Sequence, residues 1–414
     1  MGIELRESNR LITFQSASGH MQVLVPQNAA AQQTSASCTR TGTWLEIEVD
    51  HAGLMRHLTD WQDLVRDVTE PNPYYEPPLL LSAAAHMTEG KELLFVHIYH
   101  RRADEPTAEL IGLFPLERKR QAGLIVLRGW DHDYTYLCTP LVRRGFGRLC
   151  WDALVDWMRS DRHNGSILEL PFFPAEGPVY QSLVDLIRER GFLTFEYEKY
   201  SRAWFQRRSS AEHYLEQAIS SSKRRDLQRK WRRLNELGRV EMRHLHHDSD
   251  LDQWVADFLQ LESSGWKGAE RTAIANDPNG TEFLRSMTRM AFDQGSLMMT
   301  GLYLDNRPMA MRCNLLAPPG AFFFKPAYDE EFSRYSPGVH VEVETIRALH
   351  LLDGISWMDS CTSAENGLLN SMWLERRLFQ TLQIAVSGPI APLYIGAIRP
   401  ALRWVNRSLG FYRR

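Results

Sequence analysis

The sequence is poor in cysteine, holds no long apolar run and carries no strong charge of either sign. Five cysteines, Cys38, Cys138, Cys150, Cys313 and Cys361, are scattered over 414 residues with no CxxC spacing. An odd, dispersed set argues against a disulfide framework or a thiolate zinc site and fits a reducing compartment. The uncharged stretch Ile384 to Ile398 contains Pro389 and Pro392, and it is shorter than the ~20 apolar residues of a membrane helix. Glu4, Arg6, Glu7 and Arg10 precede any apolar run, so no secretory signal is expected and a cytoplasmic protein is. A net charge of -3 and a pI near 6.5 argue against a general nucleic-acid binder. The fourteen histidines show no ligand spacing, and His244, His246 and His247 would point to both faces of a strand, so no metal is expected.

What is present suits a globular α/β chain. Hydrophobic residues make up 43%, enough for full cores, and the length predicts two or three domains. Residues 27–42 are rich in Ala, Gln, Ser and Thr, too few large apolar groups to offset the entropy of ordering, and 1–42 is expected to be mostly flexible. From Trp44 the patterns alternate. Leu45–Val49 has a strand period, and Leu54, Trp61, Leu64 and Val68 mark one helical face. Pro71, Pro73, Pro77 and Pro78 mark a loop. Strands are expected at Leu93–Tyr99, Leu110–Leu116, Leu124–Leu127 and Tyr134–Val142, then a helix from Leu149, a strand at Ile167–Leu170, a helix at Val179–Arg190 and a strand at Phe192–Phe205.

The second part repeats the order. Helices are expected at Leu251–Ser263 and Thr281–Phe292, strands at Glu241–His246, Leu297–Leu304, Met309–Leu316 and Ala321–Phe324, a helix at Val339–Leu352, a strand at Ile355–Asp359 and a long helix at Leu368–Val386. The reading is two tandem domains, 43–205 and 239–390, each a mixed sheet flanked by helices. Between them, 206–238 is a linker whose helix is capped at Ser220–Ser222 and carries Lys223, Arg224, Arg225, Arg229, Lys230, Arg232 and Arg233.

Three segments carry candidate chemistry. Glu262-Ser263-Ser264-Gly265-Trp266-Lys267-Gly268 places charge and a Trp in a glycine-bounded loop, either a site wall or a surface loop. Phe322-Phe323-Phe324-Lys325-Pro326-Ala327-Tyr328-Asp329 leads to Arg334-Tyr335-Ser336-Pro337-Gly338, whose latter half reads as a helix start: Ser336 as N-cap, Pro337 in the first turn, Gly338 open to a close approach. Free N–H groups there suit a phosphate, although an ordinary capped helix has the same signature. Met358-Asp359-Ser360-Cys361 ends a strand, where Asp359 can orient or deprotonate an amine; Cys361 is either a nucleophile without an evident His base or a buried thiol. Gly145-Phe146-Gly147 sits at the corresponding junction of the first part and reads as a tight turn.

From the basic helix at Lys223 to about Val386, the sequence resembles the GNAT-type acyltransferases of the CelD-like, cellulose-biosynthesis kind, related in fold to the FemAB group. The resemblance rests on Glu262 with Gly265-Trp266-Lys267-Gly268, on Lys325 with Ala327-Tyr328-Asp329, on Tyr335-Ser336-Pro337-Gly338, and on Asp359-Ser360-Cys361 followed by Trp373 and Arg376-Arg377. Tyr335-Ser336-Pro337-Gly338 replaces the usual Q/R-x-x-G-x-G/A loop. The first part is similar in layout only. The resemblance implies acyl transfer from acyl-CoA to an amine in envelope polysaccharide or lipid metabolism, long-chain bases included. Asp359, Lys325 and Tyr328 are then the catalytic candidates. Tyr335, Ser336 and Gly338 would hold the donor, and Glu262, Trp266, Lys267, Cys361 and Trp373 would line the cleft. Two alternatives remain: an aminoacyl-tRNA donor met by helix 223–233, and a non-catalytic binding protein. The tail 391–414 mixes arginines with apolar residues as a basic amphipathic segment, which would either lie peripherally on the inner membrane or pack on the core.

Overall fold

The computed structural model describes residues 12–16, 19–23, 34–36, 42–265 and 270–401. Met1–Thr34 and Ser35–Arg414 are two compact units. In the first, β1 (Ile12–Ser16) and β2 (Gly19–Val23) form an antiparallel hairpin.

The boundary falls within β3 (Thr34–Ala36), and β4 (Thr43–Glu48) is the first strand wholly in the second unit. The expected helix over Leu54–Val68 is two, α1 (His51–Arg56) and α2 (Leu58–Arg66), broken at His57. The proline segment is more than a loop. Pro73–Tyr75 is a 3-10 turn, and Pro77 and Pro78 open α3 (Pro77–His86), where a missing N–H costs nothing. β5 (Leu93–His100), β6 (Glu109–Gln121) and β7 (Leu124–Gly129) form a meander. Of the strand expected over Tyr134–Val142, only β8 (Leu141–Val142) forms. Then come α4 (Gly147–Ser160), β9 (Ile167–Pro174), α5 (Pro178–Arg190), closed by Gly191 in the left-handed region, and β10 (Thr194–Gln206). The linker holds two helices, α6 (Ala211–Ala218) and α7 (Ser221–Asn235), the latter capped by the Ser220 side chain.

The second half runs β11 (Val240–His244), α8 (Leu251–Ser263), α9 (Pro278–Asp293), β12 (Leu297–Leu304), β13 (Arg307–Ala317), β14 (Gly320–Tyr328), α10 (Pro337–Leu351), β15 (Trp357–Asp359), α11 (Gly367–Asn370) and β16 (Glu375–Ala385). The long helix expected over Leu368–Val386 is therefore mostly a strand. A short helix, α12 (Ile390–Leu393), follows.

The α/β class holds, with the element order repeated in the two halves. The expected pair of separate sheets does not: the strands form one sheet, ordered β11-β12-β13-β14-β15-β10-β16-β9-β7-β6-β5-β4-β3. The halves exchange their last strands. β10 pairs antiparallel with β15, β16 pairs with β9, and β10 and β16 pair with each other from Thr194↔Ile384 to Trp204↔Glu375. The parallel pairs occupy matching places, β7 with β9 and β14 with β15.

One face of the sheet carries a core shared by both halves. Trp61, Leu64, Leu79 and Leu80 of the first half belong to the same buried cluster as Phe258, Phe283 and Met287 of the second. The α3 hydroxyl of Ser82 donates to Ser286 of α9 at 3.0 Å. On the other face each half has its own core, under α4 and α5 in the first and under α6 and α10 in the second.

Candidate active site

Side chains two residues apart on a strand share a face. On β15 these are Trp357 and Asp359; on β10 they are Arg202 and Trp204, with Trp204 opposite Asp359. All lie on the face of the shared core, at the seam between the halves. Asp359 and Arg202 are fully buried and form an ion pair of 2.6 Å. Arg202 also donates to the Tyr136 carbonyl at 2.7 Å, and its guanidinium lies 3.6 Å over the Phe379 ring. The second Asp359 oxygen accepts the Cys361 N–H at 3.0 Å. That bond holds a turn in which Cys361 takes a φ of +48°, a region non-glycine residues enter at some cost and often near functional sites.

The first half supplies the rest of the pocket. Asn72 is fully buried; its Oδ1 accepts the Tyr74 N–H, and its Nδ2 donates to the carbonyls of Leu137 and Thr139. This clamp delivers Tyr74 to Cys361 and Tyr136. The two tyrosine rings meet edge-on at 5.8 Å. Burial, and then the neighbouring thiol, pushes the Tyr74 hydroxyl well above the ordinary phenol range, and burial likewise raises Cys361. A thiol so held is a poor nucleophile at neutral pH. The Tyr74 hydroxyl and the Arg202 Nε lack a hydrogen-bond partner of normal geometry among the described residues.

A second charged pair borders this cluster. Lys325 of β14 lies 3.4 Å from Glu262 of α8, whose other oxygen accepts the Ile274 N–H at 3.0 Å. The Lys325 ammonium sits 4.9 Å from the Tyr134 ring centre. Tyr136 joins the two pairs, since its raised hydroxyl feels burial first and then Cys361, Tyr134 and Glu262. Glu262, Lys325, Asp359 and Cys361 are thus brought together, around Tyr74, Tyr134, Tyr136 and Arg202, which the sequence reading missed.

β14 and β15 are paired only from Gly320↔Trp357 to Phe322↔Asp359. Beyond that point β14 runs on to Tyr328 with β13 as its partner, and the register skips Phe324 as a bulge. Asp359 therefore stands at the end of the β14–β15 pairing, and Lys325 lies three residues further along β14 than Phe322, the partner of Asp359. On the sheet's opposite face stands α10. Ser336 precedes it with a φ of +56°, but its hydroxyl makes no capping bond and instead accepts from Lys230 of α7 at 2.9 Å. The capping expected of Ser336 thus gives way to a lysine held at the helix start. A side chain added at Gly338 would meet open space.

The remaining candidates lie elsewhere. Tyr328 ends β14 with 41% exposure. Tyr335 is packed in the core with Leu234, Leu302 and Phe332. Trp373 is buried on the α10 side of the sheet, where its indole N–H donates to Glu342 at 2.6 Å and its ring packs near Phe205; it lines no cleft on the Asp359 side. Trp266 and Lys267 lie outside the described residues.

Along the Asp359 face, one strand step away, a cleft of about 640 Å³ opens between the halves. Its floor is Trp204, Trp357, Glu375 and Arg377. The two indoles stack at 4.4 Å, and Arg377 lies 4.9 Å over Trp204 while pairing with Glu70 and Glu176.

Residues 221–366 match the family model described as the acetyltransferase (GNAT) domain. No curated protein matches the chain. Among solved structures, FemX is similar at a TM-score of 0.53 and 10% identity, covering 81% of this chain and 97% of that one. A conserved protein of unknown function from Bacteroides thetaiotaomicron VPI-5482 is similar at 0.51 and 9%, covering 79% and 97%. At such identities the likeness is one of fold: both halves of this chain are spanned by single proteins of the same architecture. Residues 221–366 thus match a GNAT-type acetyltransferase domain, set in a two-part fold that these solved structures share.

Proposed function

We propose that the chain is an N-acyltransferase that moves an acyl group from acyl-CoA to an amine of an envelope lipid or polysaccharide precursor. The observation that carries this reading is the buried charged cluster at the end of the β14–β15 pairing, with a helix start on the other face of the sheet. The pyrophosphate of the donor lies at Ser336–Gly338, where the first N–H groups of α10 and the ammonium of Lys230 meet its charge. The pantetheine arm passes the end of β15 beside Lys325 and Glu262, with the exposed Tyr328 at the end of β14. The acceptor enters from the cleft over Trp204 and Trp357.

The neutral amine attacks the thioester carbonyl, a C–N bond forms, the C–S bond breaks, and CoA leaves as the thiol. Asp359, held by Arg202, orients the amine, receives its proton through a bridging water and returns it to the departing sulfur. Cys361 is not acylated.

Exposed Arg225, Arg232 and Arg233 on α7 favour a second reading, in which aminoacyl-tRNA is the donor. Calorimetric titration with CoA, and thiol release from an acyl-CoA panel with amine acceptors, decide between them. Gly338→Asp sets a carboxylate against the donor phosphates and is expected to abolish CoA binding in a folded protein. CoA binding unchanged in Gly338→Asp overturns the donor site. Transfer from charged tRNA with none from acyl-CoA replaces the first reading by the second.

A further inference from the structure

Residues Ile390–Ala401 are helical, with one π-type turn at Tyr394–Ile398. One side is anchored. Ala391, Tyr394 and Ile395 are buried with Leu124, Val126 and Ile167 of the first half, and the Arg399 guanidinium reaches the Tyr197 hydroxyl. The other side is apolar and open. Ile390 is 58% exposed, Leu393 59% and Ile398 40%, and Leu193, 44% exposed, packs on Gly396 beside them. Four of the ten large hydrophobic side chains exposed among the described residues sit on this one patch, a concentration that marks a docking surface rather than scattered exposure.

The charge carried by the segment itself has one sign. After Glu375 the sequence has no further Asp or Glu, while Arg399, Arg403, Arg407, Arg413 and Arg414 follow in or beyond this helix. Tyr394 reaches Gln121 at the tip of the β6–β7 hairpin, next to the exposed Arg120. Leu402, Trp404, Val405, Leu409 and Phe411 interleave with the arginines past Ala401. An exposed apolar helix face on a stretch of sequence that carries arginines and no carboxylate complements an interface of acyl chains beneath anionic headgroups. No helix among the described residues is long and apolar enough to cross a membrane, so contact of this kind is peripheral.

We infer that the outer face of the helix beginning at Ile390, with Leu193, docks the protein on an anionic lipid surface. Ile390 and Leu393 enter the interface, and the arginines meet the headgroups. The inference does not depend on the transfer chemistry, and its test leaves that chemistry untouched.

The full chain is mixed with phosphatidylcholine vesicles, with or without about a third phosphatidylglycerol, and floated at low and high salt. Binding is expected only with phosphatidylglycerol, weakened by salt, and at least ~10-fold weaker in Ile390→Glu/Leu393→Glu. Both side chains are solvent-exposed, so the variant keeps its circular dichroism, melting transition and transfer to a soluble amine. No binding to phosphatidylglycerol vesicles overturns the inference, as does equal binding by the variant. A wild-type dimer that the substitutions dissociate assigns the patch to a second copy instead. A chain cut after Ala401 that binds better than the full chain means that residues 402–414 cover the patch, which also overturns it.

Discussion

At the scale of single residues, the seam is built from groups that are costly to bury and so must be matched. Removing one partner of a buried ion pair strands the other charge, at roughly 3–5 kcal/mol. Asp359→Asn and Arg202→Met are each expected to lower unfolding free energy by that order in urea titration. Arg202→Met/Asp359→Leu replaces the pair with apolar groups of similar size and is expected to regain most of the loss, while transfer stays down by ~10²-fold or more. Recovery of activity together with stability in the double variant would make the pair merely structural. Glu76 offers a separate test. Burial raises its carboxyl from 4.5 to about 8. The folded state therefore binds a proton that the unfolded state releases, so stability is full below pH 4.5 and declines as pH rises through 8, by about 1.4 kcal/mol per unit across that window. Glu76→Gln keeps the neutral shape and is expected to flatten this decline and to be the more stable form at pH 9; parallel pH–stability curves for both proteins would count against it. The candidates legible in sequence were polar residues at a strand end, Asp359 and Cys361, Glu262 beside a glycine-bounded loop, and Lys325 in the run Phe322–Asp329 that the family resemblance singled out. Tyr74, Tyr136 and Arg202 were not, because they come from the other half and reach the site only through the fold. Arg202 did leave a trace, a charge inside a β-prone run next to Ala203, Trp204 and Phe205.

At the scale of elements, periodicity identified most strands and helices and failed where burial is two-sided. β16 is buried continuously from Phe379 to Ala385, since it lies between β10 and β9 with helices on both faces. A strand covered on both sides loses its alternation and cannot be told by periodicity from a buried helix, which is why Leu368–Val386 read as one. The prolines at 77 and 78 misled for a related reason: they punctuate a chain but also start helices. At the first turn of α10 the local chemistry gives a paired prediction. Gly338 faces open space, so Gly338→Ala is expected to stabilise by about 0.5–1 kcal/mol through lower unfolded-state entropy and to leave CoA affinity within twofold. Loss of CoA binding in Gly338→Ala, measured beside Gly338→Asp, would mean that backbone packing rather than phosphate charge governs this turn.

At the scale of the whole molecule, the exchange of β10 and β16 makes the two halves one folding unit. In isolation the first half would carry β10 without either strand it pairs with, because β15 and β16 both belong to the second. The second half would carry β16 without β9 or β10, and β15 with one of its two edges bare. The shared core would also open, exposing Trp61, Leu79 and Leu80 on one side and Phe283 and Met287 on the other. Unpaired strand edges beside bare apolar surface drive aggregation. The candidate active-site cluster is divided in the same way, with Tyr74, Tyr136 and Arg202 on one fragment and Asp359, Cys361 and Lys325 on the other. A cut between Arg208 and Ser209, after β10 and before the Ser210 cap of α6, separates the halves without breaking an element. Each fragment expressed alone is expected to be insoluble or to lack a cooperative melting transition. The two expressed together are expected to co-purify one to one, unfold in a single transition and regain CoA binding. A first-half fragment that is monomeric and melts cooperatively by itself would show that the strand exchange decorates a domain already stable without it.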